Sequence, residues 1–112
     1  MSLLAAAAIA VTLVAPTHTP QVDAKWRYTL KATSAGKPVR ATVTVQIVDP
    51  FGGVHPVEFG AREKNIVNHP FIGSFRDYIE FPPESRGFKL TLRFTVKALG
   101  RRKVVTYWIR PR

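Results

Sequence analysis

Three histidines, seven carboxylates and a few hydroxyls are all the raw material for catalysis in this chain of 112 residues. His55 and His69 each precede a proline, which biases the backbone towards extended or turn conformations, so both are expected on loops. An acid–base pair would require the fold to bring one of them beside Asp77 or Glu58. Ser34, Ser74 and Ser85 lack the G-x-S-x-G setting of a strained nucleophile turn. Asp49, Glu58, Glu63, Asp77, Glu80 and Glu84 are too scattered to nominate two cooperating carboxyls. There is no cysteine, which excludes disulfides, thiolate zinc sites and a cysteine nucleophile together. The expectation is therefore no enzyme, with no catalytic residue, cofactor or metal site assigned. One metal reading is kept as a remote alternative, that of a copper carrier. Cleavage after Ala15 would begin the chain at Pro16-Thr17-His18, whose amine, amides and imidazole suit the tetragonal nitrogen set of Cu(II). Proline after the scissile bond and the absence of a Met-rich or His-rich segment argue against it.

The cations carry a different chemistry. Seventeen Lys and Arg against seven Asp and Glu give a net charge of +10. Lys89, Arg93 and Lys97 recur every fourth residue, so on a strand they project from one face. Arg101, Arg102 and Lys103 are expected on the adjoining turn, and Trp108 and Arg110 on the outer side of a last strand. Such a row can meet successive anionic groups on a wall polymer, an acidic glycan, a lipid surface or a nucleic acid, with Trp108 free to stack on a sugar or base. The competing reading is a solvated basic surface that deters edge-to-edge strand pairing. No nucleic-acid recognition motif is present, which argues against that partner; an anionic polymer or another envelope protein remains.

The elements that must hold these residues read as strands. Trp26, Tyr28, Leu30 and Ala32 alternate with Lys25, Arg27, Thr29 and Lys31, and after a turn at Ser34 to Pro38 the alternation resumes from Val39 to Ile47. Asp49-Pro50-Phe51-Gly52-Gly53 is strong turn chemistry. Val54 to Phe59 reads as a short strand that Pro56 confines to an edge or a strand start. Glu63 to Pro70 reads as loop, Phe71 to Phe81 as one strand, and Pro82 to Gly87 as its end. The sharpest alternation follows, with Phe88, Leu90, Leu92, Phe94 and Val96 facing inward, before a final strand from Val104 to Arg110. The pattern predicts an all-β fold, an antiparallel β-sandwich of about seven strands. Its expected core comprises Trp26, Tyr28, Leu30, Val43, Val45, Ile47, Phe75, Phe88, Leu90, Leu92, Phe94 and Val96.

Upstream of the strands lies an apolar run from Leu3 to Val14, followed by Pro16. It is well short of the ~20 residues that cross a bilayer, so no permanent membrane span is expected. Its length fits the apolar region of a signal peptide, and Val22-Asp23-Ala24 supplies a small-residue cleavage site. Residues 1–24 are thus expected to be a removed signal peptide that packs little against the domain, and residues 25–112 the mature, secreted or envelope-located domain. The n-region lacks Lys and Arg.

Ala35-Gly36-Lys37-Pro38-Val39-Arg40-Ala41-Thr42-Val43-Thr44-Val45, with Asp49-Pro50 and Gly52-Gly53 after it, resembles the G-K-P-V-x-A-x-V-x-V hairpin of bacterial extracellular immunoglobulin-like and fibronectin type III-like domains. The segment from Leu90 to Arg110 is similar to the closing hairpin of such domains. The resemblance implies an immunoglobulin-like sandwich serving as a non-enzymatic binding or structural module. The Cys and core Trp pattern of antibody domains is absent. The alternative within this reading is a binder of anionic cell-wall polymer or glycan through Lys89, Arg93, Lys97, Arg101, Arg102, Lys103, Trp108 and Arg110.

Overall fold

A computed structural model describes residues 8–112 and shows two antiparallel β-sheets packed as a sandwich. The first sheet is built on β2 (Lys25–Ser34), with β1 (Ala10–Val14) along one edge and β7 (Ser74–Glu80), extended by the short β3 (Lys37–Pro38), along the other. In the second, β4 (Arg40–Val48) is flanked by β8 (Leu90–Ala98) on one side and by β5 (Val54–Pro56) and β6 (His69–Ile72) in succession on the other. β9 (Arg101–Ile109) pairs with β8. Nine strands stand among the described residues where about seven were expected. No helix among the described residues is long and apolar enough to cross a membrane.

The alternation read from the sequence is the alternation of burial. Trp26, Tyr28, Leu30 and Ala32 from β2, Ala41, Val43 and Val45 from β4, and Leu90, Leu92, Phe94, Val96 and Ala98 from β8 form the core between the sheets. Phe88 is a correction: it is 48% exposed. It precedes β8 in the turn after the 3-10 segment Pro83–Ser85, its N–H bonded to the Ser85 carbonyl, so strand alternation does not apply to it. Ile47 is only partly buried. Ile66, beside the middle of β4 where Val45 N–H donates to its carbonyl, and Phe81 and Ile109, at the ends of β7 and β9, are buried as well.

Two departures from the expected layout have local causes. The strand expected over Phe71 to Phe81 is split at Gly73, whose φ is +73°. A Cβ at that glycine would stand 2.9 Å from Cβ of Pro38, so the residue is required both for its backbone angle and for its space. Here the chain leaves the second sheet, where β6 pairs with β4, and enters the first, where β7 pairs with β2. The second departure is the last turn. Leu99 and Gly100 have φ of 52° and 70°, the positive pair of a two-residue hairpin turn, so β9 begins at Arg101.

The segment expected to pack little against the domain instead belongs to it wherever it is described; residues 1–7 lie outside the described residues. β1 pairs with β2 from Ala10↔Thr33 to Val14↔Thr29, and Ile9, Pro20 and Val22 are buried. Beyond Pro16 the chain runs parallel to the C-terminal tail. The Arg110 and Arg112 N–H groups donate to the carbonyls of His18 (2.7 Å) and Pro20 (2.9 Å), and Val22 N–H donates to the Arg112 carbonyl (3.0 Å). Trp26 Nε1 donates to the Thr17 carbonyl at 2.9 Å. Residues 9–22 therefore tie the edge strand of one sheet to the edge strand of the other. An apolar, β-branched stretch of this length reads equally as a leader or as an edge strand, and only the partners distinguish them.

Candidate anion-binding face

The outer face of the five-stranded sheet is ordered in rows set by register. Pro70, Thr42, Lys97 and Arg102 form one row; Thr44, Thr95 and Val104 the next; Pro56, Gln46, Arg93 and Thr106 the third; Val54, Val48, Thr91 and Trp108 the last. Rows are about 6.7 Å apart along the strands and strands about 4.8 Å apart, so Arg93 and Lys97 stand ~13 Å from one another. None of the seven Asp and Glu residues lies on β4, β5, β6, β8 or β9.

Each cation on this face has its own environment. Arg93 is half-buried, and its Nε and Nη2 donate to Gln46 Oε1 at 3.1 and 2.9 Å, so the guanidinium is oriented by a neutral acceptor that leaves its charge uncompensated. Lys97 and Arg102 are directly opposed across β8 and β9. Like charges in that relation repel. Neither side chain makes a hydrogen bond or an ion pair among the described residues, nor does that of Arg40. At this end of the sheet a groove of about 550 Å³ opens, lined by Arg40, Thr42, Pro70, Lys97, Leu99 and Arg102, and Arg101 reaches it as well.

The cluster expected from the sequence is thus divided. Arg93, Lys97, Arg102 and Trp108 share the outer face, whereas Arg101 and Lys103, opposite Ala98 and Val96, take the inward parity of β9. They were expected on a turn, but the two-residue hairpin puts all three basic residues on the strand and alternation separates them. Lys89, just before β8, lies with Nζ 5.5 Å from the centre of the Trp108 ring. Arg110 follows β9 and is exposed. Trp108 is not an open platform, because the His18 ring stacks on it at 4.1 Å and 12°, and on Tyr107 at 4.1 Å and 10°. The His18 Nδ1 donates to the Trp108 carbonyl at 2.6 Å, which engages the imidazole of the copper reading. Arg40 was missed as a site residue. It stood in the outward set of its strand, but its nearness to Lys97 follows from the β4–β8 pairing, which no local pattern encodes.

The titratable groups considered for catalysis go elsewhere. His55 pairs with Asp49, its Nε2 2.7 Å from Oδ2, rather than with Asp77 or Glu58. The same carboxylate accepts the N–H groups of Phe51 (2.8 Å) and Gly53 (2.9 Å), so it organises the turn. The His55 bond, joined by these two backbone bonds, holds the Asp49 carboxyl below its usual range. His69 packs its ring on Phe59 and Phe75. Asp77 accepts the Gly60 N–H with both oxygens, at 3.2 and 3.1 Å, beside the buried Tyr28. No group of three or more metal-ligating side chains occurs among the described residues.

Two solved structures have a similar fold. A DUF4426 family protein from Pseudomonas aeruginosa aligns with a TM-score of 0.50 and 20% identity over 99% of this chain and 96% of its own. A DUF4466 family protein from Parabacteroides merdae aligns with a TM-score of 0.51 and 18% identity over 95% of this chain, which spans 44% of that protein's length. At such identities the likeness concerns the fold alone. No family model matches the sequence, and no curated protein does.

Proposed function

We propose that this chain is a non-enzymatic, immunoglobulin-like module, exported to the cell envelope or beyond, that binds an anionic wall polymer or glycan across the outer face of its five-stranded sheet. The observation that carries the reading is the placement of Arg93, Lys97 and Arg102, with Arg40 nearby, on a sheet whose strands hold no carboxylate. Cations that only guard against aggregation belong on exposed edges. Arg93 and Lys97 instead lie on β8, paired on both sides; Arg102 stands opposite Lys97 on the edge strand β9, beyond which the C-terminal tail is bonded to residues 18–22.

Retention on heparin and on isolated cell wall, measured against salt, tests the proposal. Each anionic group neutralised releases condensed counterions, so binding should weaken steeply as salt rises. Replacing Arg93, Lys97 and Arg102 together by Gln should lower affinity at least tenfold and flatten the salt dependence by roughly two to three charges, by analogy with phosphate contacts. Parent-like retention of the triple variant, or no retention beyond a charge-matched control protein, would leave a purely structural module.

A further inference from the structure

We propose that the groove at the β8–β9 turn is the anchoring subsite of this face, and that it takes one acidic sugar unit, a uronate or a sulfated or phosphorylated sugar, with Arg40 as its principal anion contact. The inference rests on the reading of the outer face as a polyanion-binding surface and names the chemistry at one end of it. Three observations converge here.

First, Arg40, Lys97 and Arg102 come from three strands to one concavity of about 550 Å³, a volume in the range of small-ligand sites. Second, Lys97 and Arg102 face each other across the ladder with no carboxylate on either strand, a repulsive arrangement that a bound anion relieves. The planar guanidinium forks of Arg40 and Arg102 match the paired oxygens of carboxylate, sulfate or phosphate. Third, the lining also includes Pro70 and Leu99, both exposed, and Thr42, which stands between Pro70 and Lys97, with Arg101 as a further cation. Pro70, Leu99 and Thr42 offer aliphatic surface and one hydroxyl, the surroundings suited to the C–H face and hydroxyls of a sugar ring rather than to a bare inorganic ion. From the groove the sheet continues past Thr44 and Thr95 to Arg93, ~13 Å along β8, where a second acidic unit of the same chain would be met.

Titration of the full chain with glucuronate, glucose 6-phosphate, glucosamine 6-sulfate, glucose and inorganic phosphate, following the arginine Nε–H signals by NMR, tests the subsite. The acidic sugars should shift Arg40 and Arg102 before Arg93, the preferred one identifying the anion, and glucose should shift none of them. Arg40→Gln, at an exposed position, should melt as the parent does and bind the acidic monosaccharides at least fivefold more weakly. Arg93→Gln should keep the monosaccharide affinity and lose affinity only for longer heparin fragments. If Arg40→Gln and Lys97→Gln bind the monosaccharides as the parent does while the triple variant still loses heparin, the subsite is wrong and the polymer-binding reading stands. If the triple variant retains heparin, both fall. Inorganic phosphate binding as tightly as the sugar acids, or an oligonucleotide of equal charge outcompeting a heparin fragment, overturns the sugar assignment.

Discussion

Tyr28 illustrates how a single polar atom is placed by forces that have nothing to do with it. Its ring is held between Trp26, Phe75 and Phe94, and the hydroxyl goes where the ring goes, buried and without a hydrogen-bond partner among the described residues. Burial, reinforced by the Asp77 charge, pushes its ionisation far above the ordinary value of 10.0. An unpaired buried hydroxyl costs about 1–3 kcal/mol, so Tyr28→Phe should raise the thermal midpoint. Because the folded state resists ionisation, the parent should lose stability as pH climbs above the usual tyrosine range, and Tyr28→Phe should lose less; thermal melts across alkaline pH check both. Asp49 works in the opposite direction. Its carboxylate is favoured by folding, so its contribution is present above the ordinary value of 3.8 and is lost as pH falls through its lowered folded value. The Phe51 and Gly53 amide resonances should move over that acidic range, and Asp49→Asn should abolish the titration.

At the scale of elements, the N-terminal segment is the least expected part of the structure. Ile9 and Val22 are buried side chains of the kind whose burial is worth roughly 1.5–3 kcal/mol each. Removing residues 1–24 would also strip the β1 edge from β2 and the bonds from His18, Pro20 and Val22 to the C-terminal tail. A domain of this size has about 5–15 kcal/mol in total, on the general scale of globular proteins. The chain beginning at Lys25 should therefore melt at least 15 °C lower than the parent, or not cooperatively at all, by circular dichroism, since about 1 kcal/mol shifts a small domain by several degrees. A parent-like melt would mean that the segment is dispensable, as a removed leader must be. Cleavage after Ala24 and the packing of residues 8–24 thus make opposite demands, and this measurement decides between them.

For the whole molecule the decisive quantity is the distribution of charge rather than its sum. The acidic side chains lie outside the strands of the five-stranded sheet, as with Asp77 and Glu80 on β7 and Glu58 by the opening between the sheets. The net charge of +10 is thereby biased towards one layer of the sandwich. Long-range attraction of a polyanion should raise the association rate at low salt and fade as the screening length falls to about 10 Å near 0.1 M. Because Lys97 and Arg102 are exposed charges that contribute little to folding, and Gln at position 93 keeps an amide able to bond Gln46, the Arg93, Lys97 and Arg102 triple variant should keep its thermal midpoint to within a few degrees while losing that rate advantage, measured by stopped-flow with a labelled heparin fragment.

Period-two alternation was legible in β2, β4 and β8 because each strand has one face on the core, and a side-chain period of two is then imposed locally by burial. Turn chemistry was legible at Ala35-Gly36 and at Asp49 to Gly53 for the same local reason. The absence of cysteine and the basic charge were likewise fixed by composition alone. What only the tertiary structure decided is pairing. That residues 10–14 lie on β2, that Gly73 is a crossing point between sheets, that Arg101 and Lys103 turn away from Arg102, and that Arg40 approaches Lys97 all depend on contacts between residues far apart in the chain. The alternation tells each residue which face it takes, but which strand lies beside it is settled only when the two sheets close over a shared core.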